Sequence, residues 1–454
     1  MALLAPFLSG CSTQRDAAAP VAPSDKKQSV PKPPKAGLGN IIVAGRAVTG
    51  SKPSGTPKVP YRRTYTDGEL YASVTGIRSM AFGRNGLEAI YDDVLGAGPG
   101  HPGHGPGNVV TAIAPAVQRA AADGLRGRKG AAVALDAATG HIRALVSTPS
   151  YDPATFSGNL SKDAEAWQKL NDDEDTPLVN RTIRDAVPTG DAFHVVVAAA
   201  ALDKGIYASV DDRTHSPVTY RLPGSTTEVT GDRAHCKDAS IRSALRYACA
   251  NVFARMAAEV GRKNLVATAE AFGSNDDDLF APVRVVRSTF PRDDASAAYL
   301  ALRGNGQEGA TATPLEMARV MAVIASGGRQ IHPQLVTQVV RADGSMQRPK
   351  YSGVAGARVI RQETAAQLRS ALKTSGPSSL MGGTTGWALP TGGGAPKEAA
   401  AWSIAFTRAG DGRPMAIAVC AASPGSPSDR SRDVKMVKRI AEAMGLSAAK
   451  GTAS

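Results

Sequence analysis

The feature that most constrains the fold is the placement of strand-like segments at both ends of a long helical region. Residues 131–135 and 142–147 are short apolar runs separated by a turn. Asp136 favours a turn back on the backbone and Gly140 tolerates a positive φ, so the two runs predict a β-hairpin. Two more strand-like runs, 401–406 and 415–419, come near the other end. This order predicts an α+β domain with one central antiparallel sheet flanked by helices.

Helical patterns dominate between these runs, and short β-like runs precede them. The β-like runs, for example 41–44 and 71–74, lie within residues 39–94 with Gly and Pro between them, which predicts a small β-rich N-terminal domain. The strongest helical patterns cover residues 192–202, 241–260, 313–324 and 363–372, and a final amphipathic helix is predicted over 434–444.

Composition excludes some classes of protein and leaves others open. No run of 18 or more apolar residues appears, which excludes a multi-span membrane protein. The 53 Lys and Arg against 40 Asp and Glu leave a net charge of +13, which suits nucleic acid, a phospholipid surface or an acidic wall polymer. Aromatic residues make up only 5%, which argues against an aromatic-lined nucleic-acid platform. We therefore expect no nucleic-acid partner.

The N-terminus predicts attachment outside the cytoplasmic membrane. Residues 1–11 end in Leu-Ser-Gly-Cys, which resembles a bacterial lipobox in which Cys11 is lipidated. The usual positively charged start is missing, so a trimmed signal anchor and a disordered N-terminus are the alternatives. Residues 12–38 are rich in Ala, Pro, Ser and Lys and predict an extended tether. Residues 12–63 hold ten Lys or Arg and two Asp (10 − 2 = +8), which suits anionic lipid headgroups, although a solvated linker explains the same charge.

Several blocks in the chain resemble the penicillin-binding protein transpeptidase family, and they occur in the family's order. The resemblance covers roughly residues 39–446, and residues 61–90 resemble the short pedestal of actinobacterial class B enzymes of the PbpA type. The blocks are residues 131–153 (AAVALDAATGHIRALVSTPSYDP), 188–202 (PTGDAFHVVVAAAAL), 244–253 (ALRYACANVF), Gly306-Gln307 with 312–318 (ATPLEMA), and 383–386 (GTTG).

The resemblance implies a β-lactamase/transpeptidase-like domain on a small β-rich pedestal domain. It divides the chain into five parts: a lipoprotein-like signal or remnant anchor at 1–11, a tether at 12–38, a pedestal at 39–107, the transpeptidase-like domain at 108–446 and a flexible tail at 447–454. The family needs neither a cofactor nor a metal, and we expect none here.

Most of the family's catalytic residues are absent from this chain. The family uses Ser-x-x-Lys, Ser-x-Asn and Lys-Thr-Gly motifs, in which the serine attacks a D-Ala–D-Ala peptide bond and a lysine one helical turn away takes its proton. Of the residues that carry the chemistry in these three motifs, only Thr385 and Gly386 are present. The replaced positions are Asp191 and His194 in the first motif, Ala248 and Ala250 in the second, and Thr384 in the third.

Each replacement removes a separate part of the chemistry. The carboxylate of Asp191 is a poor nucleophile towards an amide, and it places negative charge where a substrate carboxylate should bind. Thr384 supplies no balancing cation, and two alanines cannot relay protons. Trp387 stands where the family usually has a small threonine, so we expect its indole to fill part of the cleft.

Two pairs of residues have alternative interpretations. Asp191 and His194 are three positions apart on a predicted helix, so the aspartate could pair with the histidine and raise its pKa. The pair is then either a structural ion pair that seals the old site or a new acid/base dyad. Cys236 and Cys249 lie thirteen residues apart and, outside the membrane, either form a disulfide or remain two buried thiols.

These observations leave three functional hypotheses. The first is a catalytically inactive homologue that acts in cell-wall assembly as a scaffold or binding protein. The second is a reversible binder of penicillin or peptidoglycan peptides, as in a sensor, and the third is a hydrolase that uses Asp191 and His194. In each case the expected partners are peptidoglycan stem peptides or cell-wall and division proteins. The expected location is the outer face of the cytoplasmic membrane.

Overall fold

The computed structural model describes residues 30–96, 105–350, 356–373, 380–388, 399–423 and 427–449. The predicted lipidation at Cys11, the predicted anchor and most of the predicted tether lie outside these residues. Within them, none of the helices has both the length and the apolar character that a bilayer span requires.

The strands of the described ranges are mostly short, and the three longest come late in the chain. They are β1 (Asn40–Val43), β2 (Arg46–Ala47), β3 (Thr49–Thr56), β4 (Val59–Tyr65), β5 (Arg78–Ser79), β6 (Gly83–Arg84), β7 (Asn108–Thr111), β8 (Gly130–Asp136), β9 (Ile142–Thr148), β10 (Val187–Pro188), β11 (Thr219–Arg221), β12 (Glu228–Thr230), β13 (Thr311–Ala312), β14 (Val336–Val340), β15 (Met346–Gln347), β16 (Leu380–Ala388), β17 (Ala399–Arg408) and β18 (Pro414–Ser423).

The helices occupy mainly the centre of the chain, and two single 3-10 turns, Pro153–Phe156 and Gly190–Phe193, accompany them. The helices are α1 (Gly68–Thr75), α2 (Gly86–Ile90), α3 (Asp92–Leu95), α4 (Pro115–Leu125), α5 (Ser161–Asn171), α6 (Arg181–Arg184), α7 (His194–Asp203), α8 (Ile241–Tyr247), α9 (Ala250–Val260), α10 (Arg262–Phe272), α11 (Ala297–Gly304), α12 (Pro314–Ala325), α13 (Gln362–Leu372) and α14 (Pro427–Ala449).

The main sheet has five strands in the order β16-β17-β18-β8-β9, and every pair in it is antiparallel. The predicted hairpin is β8–β9, and Gly140 takes the positive φ of 79° that its turn requires. The late strand runs are β17 and β18. The predicted α+β fold with a central antiparallel sheet flanked by helices is therefore confirmed.

The two faces of this sheet pack against different helices, because side chains of a strand alternate between its faces. Ala405 of β17 belongs to an apolar cluster with residues of α4 and α14. Trp402 and Phe406 belong to the larger cluster formed with the central helices. Trp402 is fully buried, and its indole Nε1 donates to the carbonyl oxygen of Pro188 at 2.8 Å. This bond ties the middle of the sheet to the segment that leads into α7.

The second five-stranded sheet crosses the predicted division between 39–107 and 108–446. Its order is β15-β14-β7-β1-β2, in which β1 and β7 are parallel and β7 and β14 are antiparallel. Strands β14 and β15 come from the middle of the predicted transpeptidase-like segment. The pedestal sheet thus depends on chain from both predicted domains, which local sequence patterns cannot indicate.

Two local predictions are wrong. The helix expected over residues 241–260 is broken into α8 and α9, because Ala248 takes a left-handed conformation with φ 49° and ψ 53°. The β-like run at 71–74 lies inside α1. There Tyr71, Val74 and Thr75 are three or four residues apart and all buried, so helical spacing gives one face of the segment to the core.

A buried ion-pair network holds the N-terminal domain together beneath β4. Glu88 of α2 is fully buried, and its Oε2 accepts from Arg63 Nη2 at 2.8 Å and from Arg78 Nε at 2.7 Å. Arg63 also donates to the carbonyl oxygen of Gly39 at 2.7 Å. The network connects the hairpin β3–β4 with β1 and α2.

Replacing Glu88 with glutamine should lower the free energy of unfolding by about 3–5 kcal/mol, because the buried guanidinium of Arg63 would lose its counter-ion. Arg78 would keep its second ion pair, with Asp92. Urea denaturation followed by circular dichroism measures this change. Glu69→Gln, at an exposed position of the same domain, is the control and should change stability by less than about 0.5 kcal/mol. Equal effects of the two substitutions would contradict the assignment.

Candidate functional site

The structure brings the three motif segments together at one end of the helical layer. The first is the 3-10 turn at Gly190–Phe193 with the start of α7, the second is the turn between α8 and α9, and the third is β16. The His194 ring stacks on the Phe253 ring of α9, with centroids 4.0 Å apart. The Thr384 hydroxyl of β16 lies 3.5 Å from the Leu245 carbonyl oxygen of α8. The three motif segments predicted from the sequence thus meet at one site.

Helix α7 is buried on all sides, since His194 and every residue from 195 to 202 are enclosed. Its sequence, HVVVAAAALD, is apolar all round, which is typical of a central core helix. The helix therefore fixes its first residue, His194, in the protein interior with 1% of its surface exposed.

Burial keeps the imidazole of His194 neutral. The loss of solvation lowers its pKa below the ordinary 6.5, and this outweighs the opposing effects of the Asp191 carboxylate and of the hydrogen bond to Asn305. Asp191 does raise the pKa of this histidine, as expected, but burial lowers that pKa by more, so the net shift is downward. The cost of removing an imidazolium from water exceeds what one carboxylate at this distance returns.

The proton on His194 is held by a neighbouring amide. Nε2 lies 3.0 Å from Asn305 Oδ1. Because the amide oxygen faces the ring and can only accept, we assign the hydrogen to Nε2. Asp191 Oδ1 is 3.8 Å from the same nitrogen, beyond hydrogen-bond distance. With the ring neutral, the two side chains do not form the ion pair that the sequence suggested as one interpretation.

The second motif contributes backbone shape and no polar side chain. Ala248 ends α8 in the left-handed region, and Ala250 begins α9. Between them, Cys249 forms a disulfide with Cys236, with Cα atoms 5.4 Å apart. Beside this bond, Tyr247 stacks on His235 with centroids 3.9 Å apart. The turn is thereby fastened to the loop that follows β12.

The third motif lies on the edge strand β16, which pairs with β17 through Thr385 opposite Ser403 and Gly386 opposite Trp402. Thr384 and Thr385 are half-buried. The prediction that the Trp387 indole fills part of the cleft concerns a side chain outside what the structure describes, so it stays a prediction.

Sequence reasoning missed Asn305 and Phe253, which enclose the His194 ring. Phe253 is part of the block at 244–253, and Asn305 directly precedes the Gly306-Gln307 signature, so both were adjacent to recognised signals. Asn305 is itself buried. Over the described ranges, the model contains no group of three or more His, Cys, Asp or Glu side chains able to hold a metal ion.

Comparison with family models places two matches on this chain. The penicillin binding protein transpeptidase domain matches residues 130–443, and the penicillin binding protein A dimerisation domain matches residues 38–99. The first match covers more than half of the chain. The two together cover the main sheet, the site and every strand of the second sheet except β7.

Curated relatives give the same result. The peptidoglycan D,D-transpeptidase PbpA of Mycobacterium tuberculosis is 35% identical over 317 residues, which are 65% of this chain and 62% of that protein. The protein of the same name from Mycolicibacterium smegmatis is 35% identical over 325 residues, 66% of this chain and 65% of that protein. The matches thus span less than two thirds of the length of these relatives.

Solved structures share the architecture. The crystal structure of PBPA from M. tuberculosis superimposes with a TM-score of 0.80 at 30% identity, covering 90% of this chain and 99% of that one. Its penicillin G acyl-enzyme complex superimposes with a TM-score of 0.80 at 31% identity and the same coverage. The D,D-transpeptidase domain from Eggerthella lenta gives 0.76 at 26% identity, again covering 90% and 99%.

The left-handed turn at Ala248 should be strained, because its Cβ is unfavourable in that region. Ala248→Gly should raise the free energy of unfolding by up to about 1 kcal/mol. Ala250→Gly, two residues later in a helical conformation, should lower it. Urea denaturation of both variants tests this. A loss of stability in both would show that position 248 is not strained.

The free energy of unfolding should decrease as the pH is lowered, because of His194. The unfolded chain binds a proton near pH 6.5 and the folded chain only at lower pH, so stability is complete above 6.5 and is lost as the pH falls below it. The slope for one proton is at most about 1.4 kcal/mol per pH unit. Urea denaturation at several pH values should show a shallower slope for His194→Gln than for the wild type. Equal slopes in the variant and the wild type would contradict this.

Proposed function

We propose that this chain, which belongs to the penicillin-binding protein transpeptidase family, is a catalytically inactive homologue that acts in peptidoglycan assembly as a scaffold or binding protein. The observation that supports this most strongly is the pair at the start of α7. A carboxylate occupies the nucleophile position, and a buried, neutral, proton-bearing imidazole occupies the position of the base.

Acyl transfer requires a nucleophile that forms a stable acyl-enzyme. Attack by the carboxylate of Asp191 on an amide would give a mixed anhydride, which is less stable than the amide it replaces. The ester that a serine forms is also less stable than an amide, but by far less than an anhydride. The first step is therefore uphill whatever the alignment of the substrate.

The family's serine needs a base that accepts its proton, whereas the carboxylate of Asp191 has no proton to give, so a base at this site could act only on a water molecule. Nε2 of His194 is the ring nitrogen nearest Asp191, and it already bears the proton it donates to Asn305. Ala248 and Ala250 offer no alternative route, because neither has a polar side-chain atom. The same arrangement disfavours a hydrolase that uses Asp191 and His194, since that reaction needs a base too.

Recognition of a substrate carboxylate is weakened for an electrostatic reason. The lysine of the family's third motif is replaced by Thr384, and the nearby Asp191 is acidic. Thr385 and Gly386 remain on β16, so the strand could still hydrogen-bond a peptide through its hydroxyl and backbone. Binding of stem peptides without turnover is therefore compatible with the site.

The proposed partners and location are those of a cell-wall protein. We assign peptidoglycan stem peptides or cell-wall and division proteins as partners, and the outer face of the cytoplasmic membrane as location. M. tuberculosis PBPA, a similar protein, forms an acyl-enzyme with penicillin G. We expect this chain, by contrast, to form no acyl-enzyme with penicillin G.

Incubation with benzylpenicillin followed by intact-mass spectrometry should show no covalent adduct, because Asp191, at the nucleophile position, cannot form a stable acyl ester. A penicillin-binding protein with intact motifs is the positive control. A stable adduct on the wild-type chain would overturn the proposal. Penicillin turnover that is abolished by Asp191→Asn would establish the hydrolase instead.

Restoring the family residues tests the same claim in the opposite direction. The variant Asp191→Ser, His194→Lys, Ala248→Ser, Ala250→Asn and Thr384→Lys should form the penicillin adduct at most slowly. The changed neighbours, Trp387 among them, stay in place. Acylation as fast as in the positive control would show that only these five side chains separate the chain from an enzyme.

A further inference from the structure

The hairpin β3–β4 of the N-terminal domain forms a two-stranded sheet of its own. From residue 30 to residue 66 the chain has seven Lys or Arg and no Asp or Glu. Of the four cations on β3, on β4 and in the turn between them, only Arg63 is buried, where Glu88 neutralises it. The other three, Lys52, Lys58 and Arg62, are here called the basic hairpin.

Among the described residues the two lysines of the basic hairpin have no counter-ion, while the Arg62 guanidinium and the Asp163 carboxylate approach the same point at Gly158. Lys52, Lys58 and Arg62 make no ion pair with any residue that the structure describes. Lys52 and Arg62 stand directly opposite each other across the two strands. Like charges in that position destabilise an antiparallel pair, so an external anion bound between them would relieve a repulsion built into the hairpin.

The tip of the hairpin combines this charge with an exposed aliphatic group. Val59 is 42% exposed and lies between Lys58 and Pro60. At Gly55, on the other strand near the tip, an added Cβ would meet no atom within 4 Å, so this part of the hairpin projects from the domain. An apolar residue between cations suits the headgroup region of a membrane, where the side chain enters the boundary and the charges contact phosphates. A soluble polyanion would gain nothing from contact with the apolar valine side chain.

The N-terminal segment meets the domain at this same hairpin. Leu38 N donates to the Ser51 hydroxyl of β3 at 3.0 Å. Residues 11 and 30 are 30 − 11 = 19 positions apart, a span of at most about 70 Å when fully extended. An anchor at Cys11, as the sequence predicts, would therefore keep the start of the described chain within about 70 Å of the bilayer.

We propose that the basic hairpin is a docking surface for anionic phospholipid, with Val59 entering the headgroup layer. The surface would orient the pedestal on the membrane. This proposal does not depend on whether the cleft is catalytic.

The test uses the full chain with Cys11→Ser, so that a lipid at that residue cannot contribute. Sedimentation with vesicles of phosphatidylglycerol and phosphatidylcholine should show binding that vesicles of phosphatidylcholine alone do not. Each cation near such a surface contributes roughly fivefold, so Lys52→Gln/Lys58→Gln/Arg62→Gln should weaken binding by roughly 100-fold. Binding should also weaken as ionic strength rises towards 0.15 M, where the Debye length is about 8 Å.

The matched control removes the same charge elsewhere. Lys169, Lys204 and Lys263 are exposed cations on α5, after α7 and on α10, and their triple replacement with glutamine should weaken binding only a few-fold. Val59→Ser should weaken vesicle binding and leave binding of soluble polyphosphate unchanged.

Three results would overturn the proposal. They are no binding to anionic vesicles, equal losses in the two triple variants, and hairpin-dependent binding of polyphosphate without binding of vesicles. The last would assign the hairpin to a soluble or wall-bound polyanion.

Discussion

The structure depends on the pairing of β8 with β18, which joins a strand from early in the transpeptidase domain to one from near its end. Asp136 at the end of β8 forms an ion pair with Arg413, 277 residues away in sequence. β18 also pairs with β17. The Trp402 indole of β17 donates a hydrogen bond to the carbonyl oxygen of Pro188. Because Pro188 leads directly into the turn at Gly190–Phe193, the position of the first motif follows from the sheet. The pairing also places β16 beside that turn.

A site fixed by backbone packing can lose its chemistry without losing its shape. The left-handed turn at Ala248 and the buried start of α7 are both present, although neither carries the side chains of the family's motifs. His194 is an example, since its ring is packed between Phe253 and Asn305 as a core residue would be. Under the proposed function, the position that serves proton transfer in the family is here a closed, neutral hydrogen-bonded contact. The basic hairpin lies in the other sheet's domain and is independent of this change.

The sequence was sufficient for the elements whose signals are local. The hairpin β8–β9, the late strands and the family itself were predicted from short patterns and motif blocks, and the fold and family are confirmed. Local patterns failed where a long-range contact decides. The break at Ala248 is a backbone conformation that alanine does not signal, and the addition of β14 to the N-terminal sheet is a pairing between distant segments. Asn305 was missed for the same reason, since it meets His194 from 111 residues away.

The central claim is that His194 is a neutral structural residue whose Nε2 already bears a proton. Nitrogen-15 NMR of the histidine rings, with His194→Gln for assignment, measures this directly. At pH 7 the account predicts a neutral ring with hydrogen on Nε2 and a free lone pair on Nδ1. An imidazolium at that pH, or a neutral ring with the lone pair on Nε2, would contradict it, because the site would then hold a group ready to exchange protons with Asp191.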